Sequence, residues 1–209
     1  MKKTFLAIIL LASLASCKDK KDTSAAGTEK TGPDIAQTAT TTSSSDSADI
    51  HKVIIDFYSW YNTHYQKLMD YKLYSGIKKP DMPPYKINWD VVAKYQAYIH
   101  DSIPQLGSEF LVQQKRKFEQ CDSAFKVDVK DELPYGMDYD WFTNSQEDPA
   151  WLLDGLKTST KWVMNIKGDN ASVEIGTPEN KNYVSGSLLL YVGLKKENGQ
   201  WKIAEIGND

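Results

Sequence analysis

Cysteine is nearly absent: Cys17 and Cys121 are the only two in 209 residues, too few for the disulfide framework of a small secreted scaffold. Histidine is almost as scarce. The three, at positions 51, 64 and 100, fall in no HxxxH or HExxH spacing, which excludes a zinc site of that kind. The chain also lacks a GxSxG elbow and a glycine-rich phosphate loop. A basic excess is missing as well. Six basic and five acidic residues precede Asp49, which leaves 19 basic against 23 acidic side chains in the rest. A net-acidic domain has no electrostatic case for binding nucleic acid. The one basic run, Lys115-Arg116-Lys117, reads as a solvated helical turn.

Only one apolar run is long, Phe5 to Leu14, and it sits behind Lys2 and Lys3. A charged start, a short apolar stretch and small residues make a secretory signal over residues 1–16, too short to span a bilayer permanently. Its end, Leu14-Ala15-Ser16-Cys17, resembles a bacterial lipobox. The resemblance implies that the Cys17 thiol receives a diacylglycerol and that the new amino terminus is acylated. Several acyl chains on one residue anchor stably where one would be marginal. Lys18 stands where an aspartate would resemble an inner-membrane retention signal, which points to the outer membrane over the inner. The charged run Lys18 to Asp22 resembles a surface-export signal, so both periplasmic and surface-facing placements stay open. With Cys17 lipidated, Cys121 has no partner for an intramolecular disulfide, and its spacing from Phe118 and Phe125 marks it as a buried helical residue. Residues 17–48, free of aromatics and rich in Ser, Thr and Ala, read as a disordered tether.

All six tryptophans and all twelve tyrosines lie beyond residue 48, in a stretch whose length suits one domain, residues 49–209. Its first part has a helical period. On a helix from 49 to about 74, Ile50, Val53, Ile54, Phe57, Tyr58, Trp60, Tyr61, His64, Tyr65 and Leu68 share one wide face. Core packing across a sheet is the plain reading of that face. Its aromatic centre, Phe57, Tyr58, Trp60, Tyr61 and His64, is also the candidate wall of a ligand pocket. A loop with Pro80, Pro83 and Pro84 follows. Asn88 is placed to cap a second helix and Ser108 a third, running to about Ala124. Residues 126–157 show no clear period. After Thr158 the period becomes two: Trp162, Met164 and Ile166, then Val173 and Ile175, then Leu188 to Leu194, then Trp201 and Ile203. Gly168-Asp169-Asn170 and Asn198-Gly199 are hairpin turns between these runs, giving a meander of four strands. Gly186 and Gly193 are placed to bend the third strand. The fold class is therefore α+β: N-terminal helices packed on a curved four-stranded antiparallel sheet.

Helices first, then a four-stranded sheet ending in "NGQWKIAEI", resembles the cone-shaped fold of nuclear transport factor 2 relatives. More narrowly, Phe57 to Tyr61, Asp148-Pro149 and Trp201-Lys202-Ile203 resemble motifs of a small bacterial lipoprotein family, domain of unknown function 3828, over residues 50 to 207. The resemblance implies a fold with a cavity between helix and sheet and a cell-envelope setting, and no activity.

Candidate chemistry is sparse, and no cofactor is implied. Asp138-Tyr139-Asp140 starts like a calcium loop but lacks the later ligands. His64, Tyr58, Tyr61 and Asp140 are the side chains that could do acid–base work in a cavity. Three functions compete. A lipid-anchored binding or accessory module would hold a small apolar ligand, a peptide or an envelope protein. An inhibitor or immunity-type protein would engage an envelope toxin or hydrolase through its acidic, aromatic loop, with Tyr135, Tyr139, Asp140, Trp141 and Trp151 as anchors. A cone-fold isomerase or dehydratase would use the cavity itself.

Overall fold

The structure, a computed structural model, describes residues 44–207 apart from positions 80, 128 and 131–133. The signal peptide, Cys17 and most of the tether lie outside the described residues. Helix α1 runs Ser44–Met69, α2 Trp89–Ser102, α3 Ser108–Val127 and α4 Pro149–Thr158. Strands β1 (Tyr74–Lys78) and β2 (Met82–Ile87) form a hairpin. Strands β3 (Trp162–Lys167), β4 (Asn170–Gly176), β5 (Leu188–Glu197) and β6 (Gln200–Ile206) form an antiparallel sheet in the order β3-β4-β5-β6. The fold is α+β, with the expected four-stranded meander.

Helix α1 starts at Ser44, inside the stretch read as tether, because its first turn has a partner. The Asp46 carboxylate accepts from the Trp201 indole N–H at 3.0 Å and pairs with Lys196 at 2.8 Å. Those two contacts hold Asp46 below its usual carboxylate range. The buried face of α1 carries Ile50, Ile54, Phe57, Tyr58, Tyr61 and Leu68, the spacing that a helix lying on a sheet requires. It packs on β6 and α4. Helix α1 ends at Met69, short of position 74. Beyond it Asn88 claims the backbone: its amide donates to the Lys72 carbonyl at 2.8 Å, its Oδ1 accepts from Ser75, and its N–H donates to the Leu73 carbonyl.

That use of Asn88 corrects two expectations. Asn88 does stand at the N-cap of α2, where its carbonyl accepts from Val91 and Val92, yet its side chain makes no capping bond and ties down the β1–β2 hairpin instead. The proline segment expected as a loop contains that hairpin. A two-stranded ribbon is marginal alone, and here Tyr74 and Tyr85 pack against Phe125 of α3. Ser108 also departs from the expected cap, since its N–H and hydroxyl both donate to Glu197 at 2.8 Å. The α2–α3 connection instead runs along β6. Ile203 donates to the Gln105 carbonyl and Gly107 donates to the Ile203 carbonyl, both at 2.8 Å.

Helix α4 falls in the stretch that showed no period. Asp148 caps it, accepting from the Ala150 N–H at 2.7 Å with Pro149 in the first turn. In the sheet, register shifts fall between Ile175 and Gly176 and between Gly193 and Leu194. Such irregularities bend a strand. Gly186, expected within the third strand, lies before β5 at φ 78°. The Asn198-Gly199 turn has positive φ at both residues, 52° and 78°, the conformation that a tight two-residue hairpin needs.

Candidate functional site

The segment after α3 folds back over the C-terminal half of α1 and is fastened there by polar contacts from buried aromatics. Tyr58 donates its hydroxyl to the Phe142 carbonyl at 2.7 Å. Tyr61 donates to Asp140 Oδ2 at 2.5 Å, while Asp140 Oδ1 accepts from the Phe142 N–H at 2.8 Å. The segment is also closed on itself. Asp140 N–H reaches the Ser145 carbonyl at 3.0 Å, Trp141 Nε1 reaches the Gly136 carbonyl at 2.6 Å, and Gln146 donates to the Asp138 carbonyl at 3.0 Å. Phe142 sits among Phe57, Tyr61 and Phe110 at ring separations of 5.0–5.9 Å. Loops of this composition are often mobile; this one is preformed.

Burial pushes the Asp140 carboxyl above its usual range, and the bonds from Tyr61, Phe142 and Thr143 pull against that rise. Burial followed by the Asp140 charge pushes the Tyr61 phenol far up, so it stays a hydrogen-bond donor. Tyr58 and Tyr95 are likewise pushed up, in both cases mainly by burial.

Between this loop, the end of α1, α2 and the segment leading into β1 lies an open cleft of about 420 Å³. Tyr71, Tyr74, Tyr139 and Trp141 supply its aromatic surface, backed by the buried Tyr61, Tyr95 and Phe142, with Asp140 among the lining residues and Met69 exposed beside them. The cavity is within the usual size range of small-ligand sites. No residue of β3–β6 lines it, so it is not a space enclosed between helix and sheet.

The sequence candidates are therefore split. Of the five proposed pocket residues, Tyr61 borders the cleft, with its side chain fully buried there. Phe57 and Tyr58 are fully buried in the core. Trp60 and His64 fall outside the cleft lining. The imidazole of His64 is exposed, stacked on Trp60 at 4.5 Å, with Nδ1 2.8 Å from the Trp60 carbonyl. The predicted inward face is thus narrower than its arc. Of the interaction-loop candidates, Tyr139, Asp140 and Trp141 line the cleft and Tyr135 is exposed beside it in sequence. Trp151 is not on the loop. It belongs to α4 and packs on Tyr183 at 4.7 Å. Sequence reading missed Met69, Tyr71 and Tyr95; Tyr95 was legible only as a core position of α2.

Asp140 and Tyr61 form a hydrogen-bonded acid–phenol pair at the cleft. Both carboxylate oxygens are already occupied, and the tyrosine proton is spent on one of them. The pair is built as a clasp. Among the described residues no group of three or more His, Cys, Asp or Glu could hold a metal ion, and no helix is long and apolar enough to cross a membrane.

No family model matches the chain, and no curated protein matches it. Two solved structures resemble it distantly. One is the selenomethionine form of the type VI effector–immunity complex Tae3–Tai3 from Ralstonia pickettii, at 17% identity and TM-score 0.39, covering 76% of this chain and 95% of that chain. The native form of that complex gives 17% identity and TM-score 0.35, covering 75% and 92%. At these scores the likeness carries no argument about function.

Proposed function

We propose that this chain is a protein-binding module of the inhibitor or immunity type, which engages a partner in the cell envelope through the face around the aromatic cleft. The observation that supports it best is the clasped loop. Tyr58, Tyr61 and Asp140 hold residues 136–146 in one arrangement, which lowers the ordering cost of association. Tyr and Trp at such a face are the usual interface anchors, and Met69, 56% exposed, and Tyr135, 61% exposed, extend the apolar surface beyond the cleft. Asp138, Glu147 and Asp148 border a second hollow that shares Met69, Met137, Tyr139 and Asp140 with the first. An acidic margin around an aromatic centre complements a basic partner surface. The setting that goes with this reading is lipid anchoring at Cys17 on the outer membrane, within the lipoprotein family that the motifs resemble.

The occupied state of Asp140 weighs against the isomerase or dehydratase reading. A small apolar ligand is the second reading, favoured by the size and lining of the cleft alone. One experiment separates the two. The full chain is crosslinked in its own membranes, the bound protein is identified, and the complex is rebuilt from purified components. Met69→Glu and Tyr139→Ala should each weaken that complex by about tenfold or more, the effect expected at central anchors. A complex indifferent to both changes would overturn the proposal. So would saturable uptake of an apolar dye at the cleft with no protein partner.

A further inference from the structure

The aromatic cleft and the hollow beside it share a charge pattern that narrows what a partner presents to them. Six carboxylates border the two, against a single cation, Lys72. Three of the six are engaged within the protein: Asp81 pairs with Lys72 at 3.0 Å, Asp140 is held by Tyr61 and Phe142, and Asp148 caps α4. The other three, Asp70, Asp138 and Glu147, are exposed, and among the described residues their side chains make no hydrogen bond or ion pair. The same surface is aromatic. Tyr71, Tyr74, Tyr139 and Trp141 are half-buried at the cleft, and Tyr139 borders both hollows. Elsewhere the protein places its own lysines over such rings: Lys67 lies 4.4 Å from the ring centre of Tyr98 and Lys196 lies 4.8 Å from that of Trp201. Among the described residues no cation of the chain stands over any of the four cleft rings.

Rings and free acids together select among occupants. An apolar group would gain the rings but strip water from carboxylates left without a partner. An anion would meet like charge. A cation is drawn both by the faces of Trp and Tyr and by the carboxylates around them. Arginine suits the place better than lysine, because its guanidinium is planar, stacks on aromatic faces, sheds water more readily and can bond two carboxylate oxygens at once. The free acids are also divided, with Asp70 at the cleft and Asp138 and Glu147 at the adjoining hollow. That division suits two basic side chains carried on one segment.

We infer that the partner meets this face with a basic segment, one arginine entering the aromatic cleft against Tyr139 and Asp70 and a second basic side chain reaching Asp138 and Glu147. The inference rests on the protein-binding reading and specifies the chemistry of the element that the face receives.

The test is calorimetric titration of the full chain, in uncharged detergent, with triarginine, with trilysine and with tricitrulline, the neutral isostere of triarginine. One equivalent of triarginine should bind, with tricitrulline weaker by about tenfold or more and trilysine between the two. Tyr139→Leu keeps an apolar side chain and removes the ring. It should weaken triarginine by about fivefold and narrow the gap between arginine and lysine. Asp70→Asn, at an exposed position without a side-chain partner, should weaken triarginine by about threefold. Glu174→Gln removes the same charge from an exposed position on β4, away from the cleft, and should change nothing. Should Tyr139→Leu fail to fold, the comparison of Asp70→Asn with Glu174→Gln decides. No saturable binding of triarginine at millimolar concentration, equal binding of tricitrulline, or an effect of Glu174→Gln as large as that of Asp70→Asn would each overturn the inference. Any of these would leave the protein-binding reading standing, because that reading is judged on the rebuilt complex and its response to Met69→Glu.

Discussion

Tyr61→Phe isolates the clasp on the loop. The ring is fully buried against Phe57, Tyr65 and Phe142, and phenylalanine keeps those contacts. What is lost is one hydroxyl, donated at 2.5 Å to a carboxylate that burial already disfavours. A hydrogen bond to a charged group contributes about 1.5–3 kcal/mol. A loss of about 2 kcal/mol at pH 7 corresponds, for a domain of this size, to a fall in melting temperature of about 4–8 °C. The effect must also depend on pH. Asp140 has a folded pKa above its unfolded value, so the protein is relatively more stable when Asp140 is protonated. That contribution is fully present below the unfolded value of about 3.9 and is lost as pH rises through the folded pKa. The tyrosine bond chiefly serves the ionised form. Its removal should therefore cost about 2 kcal/mol at pH 7 and less in acid, as the carboxyl takes up its proton.

Tyr58→Phe is the control. It removes a bond of 2.7 Å to an uncharged carbonyl, which should cost about 1 kcal/mol at both pH values. Thermal unfolding followed by circular dichroism at pH 7 and pH 4 measures both variants against the parent. If Tyr61→Phe costs under about 0.5 kcal/mol at pH 7, or if its cost does not shrink in acid while that of Tyr58→Phe stays level, the clasp does not hold the loop as described.

Two further outcomes are expected. Asp148→Ala should cost about 1 kcal/mol through loss of the α4 cap, seen as faster amide exchange in Ala150 and Trp151 ahead of the rest of the helix. The Cys121 thiol is pushed up to about 11, chiefly by burial, so little thiolate exists at pH 8. A chromogenic disulfide reagent should therefore react slowly with Cys121 in the folded protein and rapidly after unfolding in guanidinium. Equal rates would mean that Cys121 is not the buried helical residue described.

Much of the frame could be read locally. A period of two with Asn198-Gly199 between runs sets a hairpin without help from the rest of the chain, and the four strands pair in the expected order. The spacing of Ile50, Ile54, Phe57 and Leu68 likewise marks a buried helical face. Asp148-Pro149 was legible as a helix start and was read only as a family motif. Other features had no local signal. The Pro83-Pro84 segment became a strand because Phe125, some forty residues on, offers its ring to Tyr74 and Tyr85. Asp46 entered a helix because Trp201 and Lys196, at the far end of the chain, meet its carboxylate. His64 shares an arc with Tyr61, yet Tyr61 is met by Asp140 of the returning loop while His64 stays exposed against Trp60 of its own helix.

The cleft is the clearest case of that second kind. Its lining comes from α1, α2, the approach to β1 and the loop before α4, and no spacing within any one of them announces the others. Sequence periodicity determines which residues must leave water, because burial of apolar surface follows the repeat of the element. Where two buried surfaces fail to meet and leave a cavity depends on how the elements close on one another, and the tertiary structure alone decided that.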